Sequence, residues 1–193
     1  MSGAALRWID FDVSSGHLDV ADVQRVLSHR TKLVAVTGAS NLIGTRPNLH
    51  ALSKCVHAVG ALLYVDGVHL TAHTPIDVKA IGADFYGCAP YKFFGPHIGV
   101  IAASPALLET LHPDKLLPST DAVPMRFVLG TLPYELLVAV TAAVDFIAGM
   151  KDGEGSRRER IVASMHAAEE YEEALSDRLR EGLSTSQIKT INP

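Results

Sequence analysis

The chain has 193 residues and a mass of 20.7 kDa, enough for one large domain or two small ones with a real hydrophobic core. Apolar residues make up 48% and charged residues 20%, with a mean hydropathy of +0.19, which excludes a disordered chain. Lys and Arg number 17 against 21 Asp and Glu, a net charge of −4 with His neutral, so the basic footprint of a nucleic-acid binder is absent.

No apolar run reaches the ~18 residues of a membrane span. The opening MSGAALRWIDFDVSSGH lacks the basic start and apolar stretch of a signal peptide. Cys55 and Cys88 are too few for a disulfide framework or a cysteine-based zinc site, and both read as small buried hydrophobes. The expectation is a reduced, cytoplasmic protein with neither membrane nor nucleic-acid partners.

Leu33–Thr37 (LVAVT) predicts a buried strand ending at Gly38. A helix is expected from Pro47, where proline suits a first turn. Leu49, Leu52, Val56 and Val59 lie on its apolar side, and Gly60 stops it. Ala61–Val65 (ALLYV) predicts the next strand, ending at Asp66-Gly67, and Asp84–Gly87 and Gly99–Ala103 are further strand candidates. Continuous apolar strands separated by a helix imply an α/β fold, with a mainly parallel sheet and helices on both faces.

Tyr134–Met150 predicts a strongly apolar helix, buried or at an interface, which Lys151–Ser156 (KDGEGS) breaks. From Arg157 to about Leu183, Ile161, Met165, Ala168, Tyr171, Leu175 and Leu179 form a stripe on an amphipathic helix that needs a partner surface. At Ile191-Asn192-Pro193 another strand could begin, so the ending reads as cut.

Two constellations carry chemistry. The turn Thr37-Gly38-Ala39-Ser40-Asn41-Leu42-Ile43-Gly44 follows a strand, and Asp66 lies about 20 residues beyond it, as in a dinucleotide-binding unit. Against that, Thr45-Arg46-Pro47 delays the helix beyond Gly44, and no Tyr-x-x-x-Lys pair follows any tyrosine. The second constellation joins Asp66, at a strand end, to Lys92 in Ala89-Pro90-Tyr91-Lys92-Phe93-Phe94-Gly95-Pro96. A lysine among Phe, Tyr and Pro is expected to be desolvated, which lowers its pKa toward the nucleophilic amine. That amine can form a Schiff base with an aldehyde cofactor. Pyridoxal phosphate also requires a carboxylate against its pyridinium nitrogen, which Asp66 could supply.

VDGVHL followed by IDVKAIGADFYGCAPYKFFGPHIGV, with TKLVAVTGASNLIGT upstream and RFVLGT downstream, resembles the core of the class V aminotransferases, the pyridoxal-phosphate group that contains the cysteine desulfurases. The resemblance covers most of Leu6 to Leu183. It implies fold type I and an enzyme acting on a small amino acid through a Schiff base on Lys92, which would then move the proton at Cα. It also implies that Asp66 pairs with the pyridine nitrogen, and that His69 stands near the cofactor's phenolic oxygen where desulfurases usually have Gln. Asn41 would sit near that oxygen and the substrate carboxylate. Thr131 would reach the cofactor phosphate of the partner subunit, so a homodimer with a shared site is implied. Tyr91 either lines the cofactor or fills the core.

Ala89 and Tyr91 replace the Ser and His that desulfurases generally carry before the lysine. With His69, they suit a divergent aminotransferase-like branch better than cysteine desulfuration. Family members are about twice as long, so residues 1-150 read as a partial large domain that binds the cofactor. Residues 151-193 read as a helix leading toward an absent small domain, and little turnover is expected from the chain alone. Two alternatives stay open: an NAD(P)-dependent short-chain-dehydrogenase-like oxidoreductase using TGASNLIG, and a non-catalytic interaction module. His69 and His73 have the spacing of a metal pair on a helix, but Pro75 and the want of a third ligand speak against a metal.

Overall fold

The computed structural model describes residues 3–184; the expected strand start at Ile191 lies outside them. In chain order the elements are α1 (Val20–Val26), β1 (Leu33–Thr37), α2 (Leu49–Ala58), β2 (Leu62–Asp66), α3 (Val78–Ile81), β3 (Phe85–Cys88), β4 (Val100–Ala103), α4 (Pro105–Glu109), α5 (Tyr134–Ala148) and α6 (Arg157–Ser184). Short 3-10 turns occupy Leu70–Ala72, Pro90–Lys92 and Met125–Phe127.

The strands fall where the apolar runs place them, within a residue at each end. α2 begins at Leu49 rather than Pro47, because the Asn48 side chain accepts the Ala51 amide at 3.0 Å and so caps the helix. Past the end of α2, Gly60 takes φ 74 and turns the chain toward β2, a conformation open to glycine at no steric cost.

The sheet has four strands in the order β1-β2-β3-β4. β1, β2 and β3 run parallel, with Thr37 opposite Asp66 and Asp66 opposite Gly87. β4 runs antiparallel to β3, with Cys88 opposite Val100. The link between these two carries only the turn at Pro90–Lys92, whereas a parallel return needs a longer crossover, usually a helix. The fold is therefore α/β with a mostly parallel, mixed sheet.

Val34, Val36, Leu63, Val65 and Tyr86 cluster with Val23 of α1 and with Leu49, Leu52 and Val56 of α2. The alternate residues of β1, Leu33, Ala35 and Thr37, are exposed. A second cluster of Phe93, Ile147 and Met165 lies between the Lys92 turn, α5 and α6, and Cys88 touches both clusters. α5 buries Ala143, Ile147 and Ala148 but leaves Tyr134, Val138 and Phe146 exposed at 62%, 70% and 56%. No helix among the described residues is long and apolar enough to cross a membrane.

Candidate functional site

Three parallel strands come to their carboxyl ends side by side, with Thr37, Asp66 and Gly87 in register and β3 running one residue further to Cys88. In open α/β sheets the crevice beyond the carboxyl ends of the strands is where ligands bind. All the residues singled out in the sequence except Thr131 come from the ends of these strands or the segments that leave them. Asn41 lies in the turn after β1, Asp66 closes β2, His69 opens the next turn and Lys92 ends the turn after β3.

Asp66 is held by its backbone and presents its carboxylate. Its carbonyl accepts the Gly38 amide at 2.7 Å. One carboxylate oxygen accepts the Val68 amide at 3.0 Å, and the side chain stays exposed. Beyond it, the Gly67 amide donates to the Gly87 carbonyl at 2.7 Å, which ties the two strand ends together.

Lys92 departs from its expected setting: it is exposed, not desolvated. The aromatic residues around it do not close over it, because only Phe93 turns its ring into the core. Tyr91 and Phe94 are 45% and 70% exposed. The turn that carries Lys92 is nonetheless well defined. Its amide donates to the Ala89 carbonyl at 2.9 Å, and the Phe93 and Gly95 amides donate to the Pro90 carbonyl. Phe94 takes φ 67, a left-handed conformation that costs about 1–2 kcal/mol outside glycine. Lys92 Nζ lies 5.6 Å from the centroid of the Tyr91 ring, which stacks on His97 at 5.0 Å.

His69 is half-buried, and its pKa is pushed below the ordinary histidine value. Burial is the largest cause, followed by the charges of His73, Lys92 and Arg46, with Glu172 opposing. A neutral imidazole carries one donor and one acceptor. Its ring lies 4.7 Å from that of His73, tilted by 56°. Arg46 and His73, which motif reasoning did not assign to the site, thus belong to its electrostatic surroundings. The four-residue spacing of His69 and His73 was the one signal pointing to the second histidine.

Asn41 is exposed in a turn closed by the Ser40 amide on the Thr45 carbonyl at 2.9 Å. Thr131 is exposed in the stretch between Met125–Phe127 and α5. The glycine turn does not open a helix: Gly44 donates to the Ser40 carbonyl, and α2 starts only at Leu49. The free amides that a dinucleotide pyrophosphate would meet at a helix N-terminus are displaced from that turn. Cys55 and Cys88 are half-buried, and burial pushes both thiols up, away from the reactive thiolate.

A family model described as aminotransferase class-V matches residues 1–192. An aminotransferase-like protein of Gibberella zeae is 35% identical over 186 residues, covering 95% of this chain and 44% of that one. A probable cysteine desulfurase of Streptomyces coelicolor is 32% identical over 182 residues, with 88% and 42% covered. The apo structure of a cysteine desulfurase from Thermococcus onnurineus superposes with a TM-score of 0.79 at 26% identity, over 97% of this chain and 46% of that one. The chain spans less than half the length of these relatives.

Proposed function

The chain belongs to the class-V aminotransferase family, and from that premise we propose that it forms part of a pyridoxal-phosphate enzyme acting on a small amino acid. The carrying observation is the placement of Asp66 at the carboxyl end of β2 and of Lys92 in the turn beyond the neighbouring parallel strand β3. The residues present suit the cofactor: an exposed primary amine, an exposed carboxylate and a histidine held toward neutrality. Bound pyridoxal phosphate supplies an electron sink that labilises the bonds at an amino acid's Cα.

Lys92 Nζ is the amine that would hold the cofactor through its aldehyde, and as a free amine it would be the base for the proton at Cα. Asp66 sets a negative charge against the ring nitrogen. His69 offers a hydrogen bond to the ring oxygen, with Asn41 at the same edge and Tyr91 flanking the lysine. Thr131 is assigned to the phosphate held by a partner subunit, which makes a homodimer part of this reading. With His69, Ala89 and Tyr91 where desulfurases generally carry other residues, an aminotransferase-like reaction is favoured over desulfuration. The whole activity draws on segments that the longer relatives have and this chain does not span.

The test is to incubate the chain with pyridoxal phosphate, reduce with borohydride and map the modified peptide by mass spectrometry. Lys92 should carry the label, and Lys92→Ala should lose it. Label on a different lysine with Lys92 unmodified would overturn the assignment. A second reading, a chain serving as an interaction module, is favoured by the exposed Tyr134, Val138 and Phe146 on α5 and Tyr171 and Leu179 on α6. Concentration-dependent oligomerisation without cofactor binding would support that reading instead.

A further inference from the structure

We propose that Glu172 on α6 is a positioning residue for this site: by holding His73, on which the His69 ring rests, it sets the orientation of His69 near Lys92. The inference rests on the pyridoxal-phosphate reading for the purpose of His69, but its geometry stands on contacts in the chain itself.

His69 and His73 flank the 3-10 turn Leu70–Ala72, which the His73 amide closes on the Leu70 carbonyl at 3.1 Å. Leu70 points into the core and is 5% exposed. With Leu70 fixed inward, the two imidazoles come together, 4.7 Å apart and tilted by 56°. Ring contact alone fixes a separation and leaves the rotation of each ring free. The rotation of His73 is set elsewhere: its Nδ1 lies 2.8 Å from Glu172 Oε2. A carboxylate accepts only, so Nδ1 carries the hydrogen.

Glu172 does not act from a loose helix. One turn earlier, Glu169 accepts from Arg46 at 2.7 Å and from the Thr74 hydroxyl at 3.0 Å. Arg158 donates to the Ile76 carbonyl at 2.8 Å. α6 therefore grips the segment that follows His69 at His73, Thr74 and Ile76. Exposed ion pairs of this kind contribute little to stability, but choosing one rotamer of one ring is a comparably small free-energy difference. Positioning is thus within their reach where stabilisation is not.

The charged groups bearing on His69 are His73, Lys92, Arg46 and Glu172. Glu172 is the only carboxylate among them. Removing it releases the His73 ring and tips the local balance toward positive charge, which disfavours a protonated His69.

The experiment uses the 193-residue chain without cofactor, labelled at histidine ring atoms and followed by NMR across pH. Glu172→Ala should move the His69 ring resonances and lower the midpoint of its titration. Glu172→Gln, whose amide oxygen still accepts from His73 Nδ1, should return the ring resonances toward wild type. Glu173→Ala, one residue along, should leave both unchanged. Unmoved His69 resonances in a Glu172→Ala chain with an unchanged circular-dichroism spectrum would overturn the proposal. Equal effects of Glu172→Ala and Glu173→Ala would overturn it too, since they would show general charge and not position. Borohydride labelling of the same proteins tests the cofactor reading separately. His69 responding while a lysine other than Lys92 takes the label in wild type would uphold the coupling and overturn the reading that gives it a purpose.

Discussion

Gly67 lies so close to Tyr86 that a Cβ there would fall 2.0 Å from the ring's Cζ. The approach is locked from both sides. The Thr71 hydroxyl donates to the Gly67 carbonyl at 2.7 Å, and Tyr86 Oη reaches the Thr71 hydroxyl at 2.9 Å. Glycine is required here by space and not by its backbone angle, and it lets the chain cross the ring immediately after Asp66. Gly67→Ala should destabilise the chain by about 1–3 kcal/mol through overpacking. Urea denaturation would measure it, and Tyr86→Leu in the same chain should recover part of the loss, giving non-additive single costs.

Asp84 is a structural hub beside β3. Its Oδ2 accepts the Leu63 amide at 2.7 Å and lies 2.8 Å from His57 Nε2. Leu63 is fully buried, so Asp84→Ala leaves that amide without its acceptor, at about 1–3 kcal/mol. His57 is 43% exposed, so His57→Ala should cost at most about 1 kcal/mol. Chemical denaturation of the two variants should rank Asp84→Ala well below His57→Ala in stability; equal costs would mean the amide is satisfied without Asp84.

Asp66→Asn keeps an oxygen for the Val68 amide but removes the charge opposite a bound pyridine nitrogen. Losing a charge-assisted hydrogen bond is worth about 1.5–3 kcal/mol. Affinity for pyridoxal phosphate should therefore fall about 10- to 100-fold, read by fluorescence titration, with the unfolding midpoint nearly unchanged. An unaltered affinity would remove Asp66 from the site.

The Asp12 carboxyl is held down to about 2, first by the Ser14 hydroxyl and then by the Ser15 and Ser14 amides. Because the folded value lies below the unfolded one, about 3.9, its contribution is present above about pH 4 and is lost as pH falls through about 2. The Ser14 and Ser15 amide resonances should move with a midpoint near that value, and in Asp12→Asn they should not titrate there.

The place of Asp66 at a strand end and of Lys92 in a turn was legible because strand ends and turn chemistry are written in a few neighbouring residues. VDGVHL puts a carboxylate at the end of an apolar run, and APYKFFGP puts a lysine in a turn of proline and glycine. The same local logic misjudged the surroundings of Lys92. Aromatic neighbours in sequence predict desolvation, but which rings turn inward depends on where the core lies, and only Phe93 faces it. The antiparallel course of β4 was equally hidden, since a short apolar run reads the same in either direction.

Local periodicity and turn residues therefore determined the strands, the long helices and the edge of the sheet where the candidate residues gather, because those signals act over one or two turns of chain. Tertiary structure alone decided that Lys92 is open to solvent and that Glu172 and Glu169 of α6 hold His73, Thr74 and Arg46. Those pairings join segments distant in the chain. They depend on how α6 packs against α5 and the loops after β1 and β2, and no pattern within either segment encodes the distance between them.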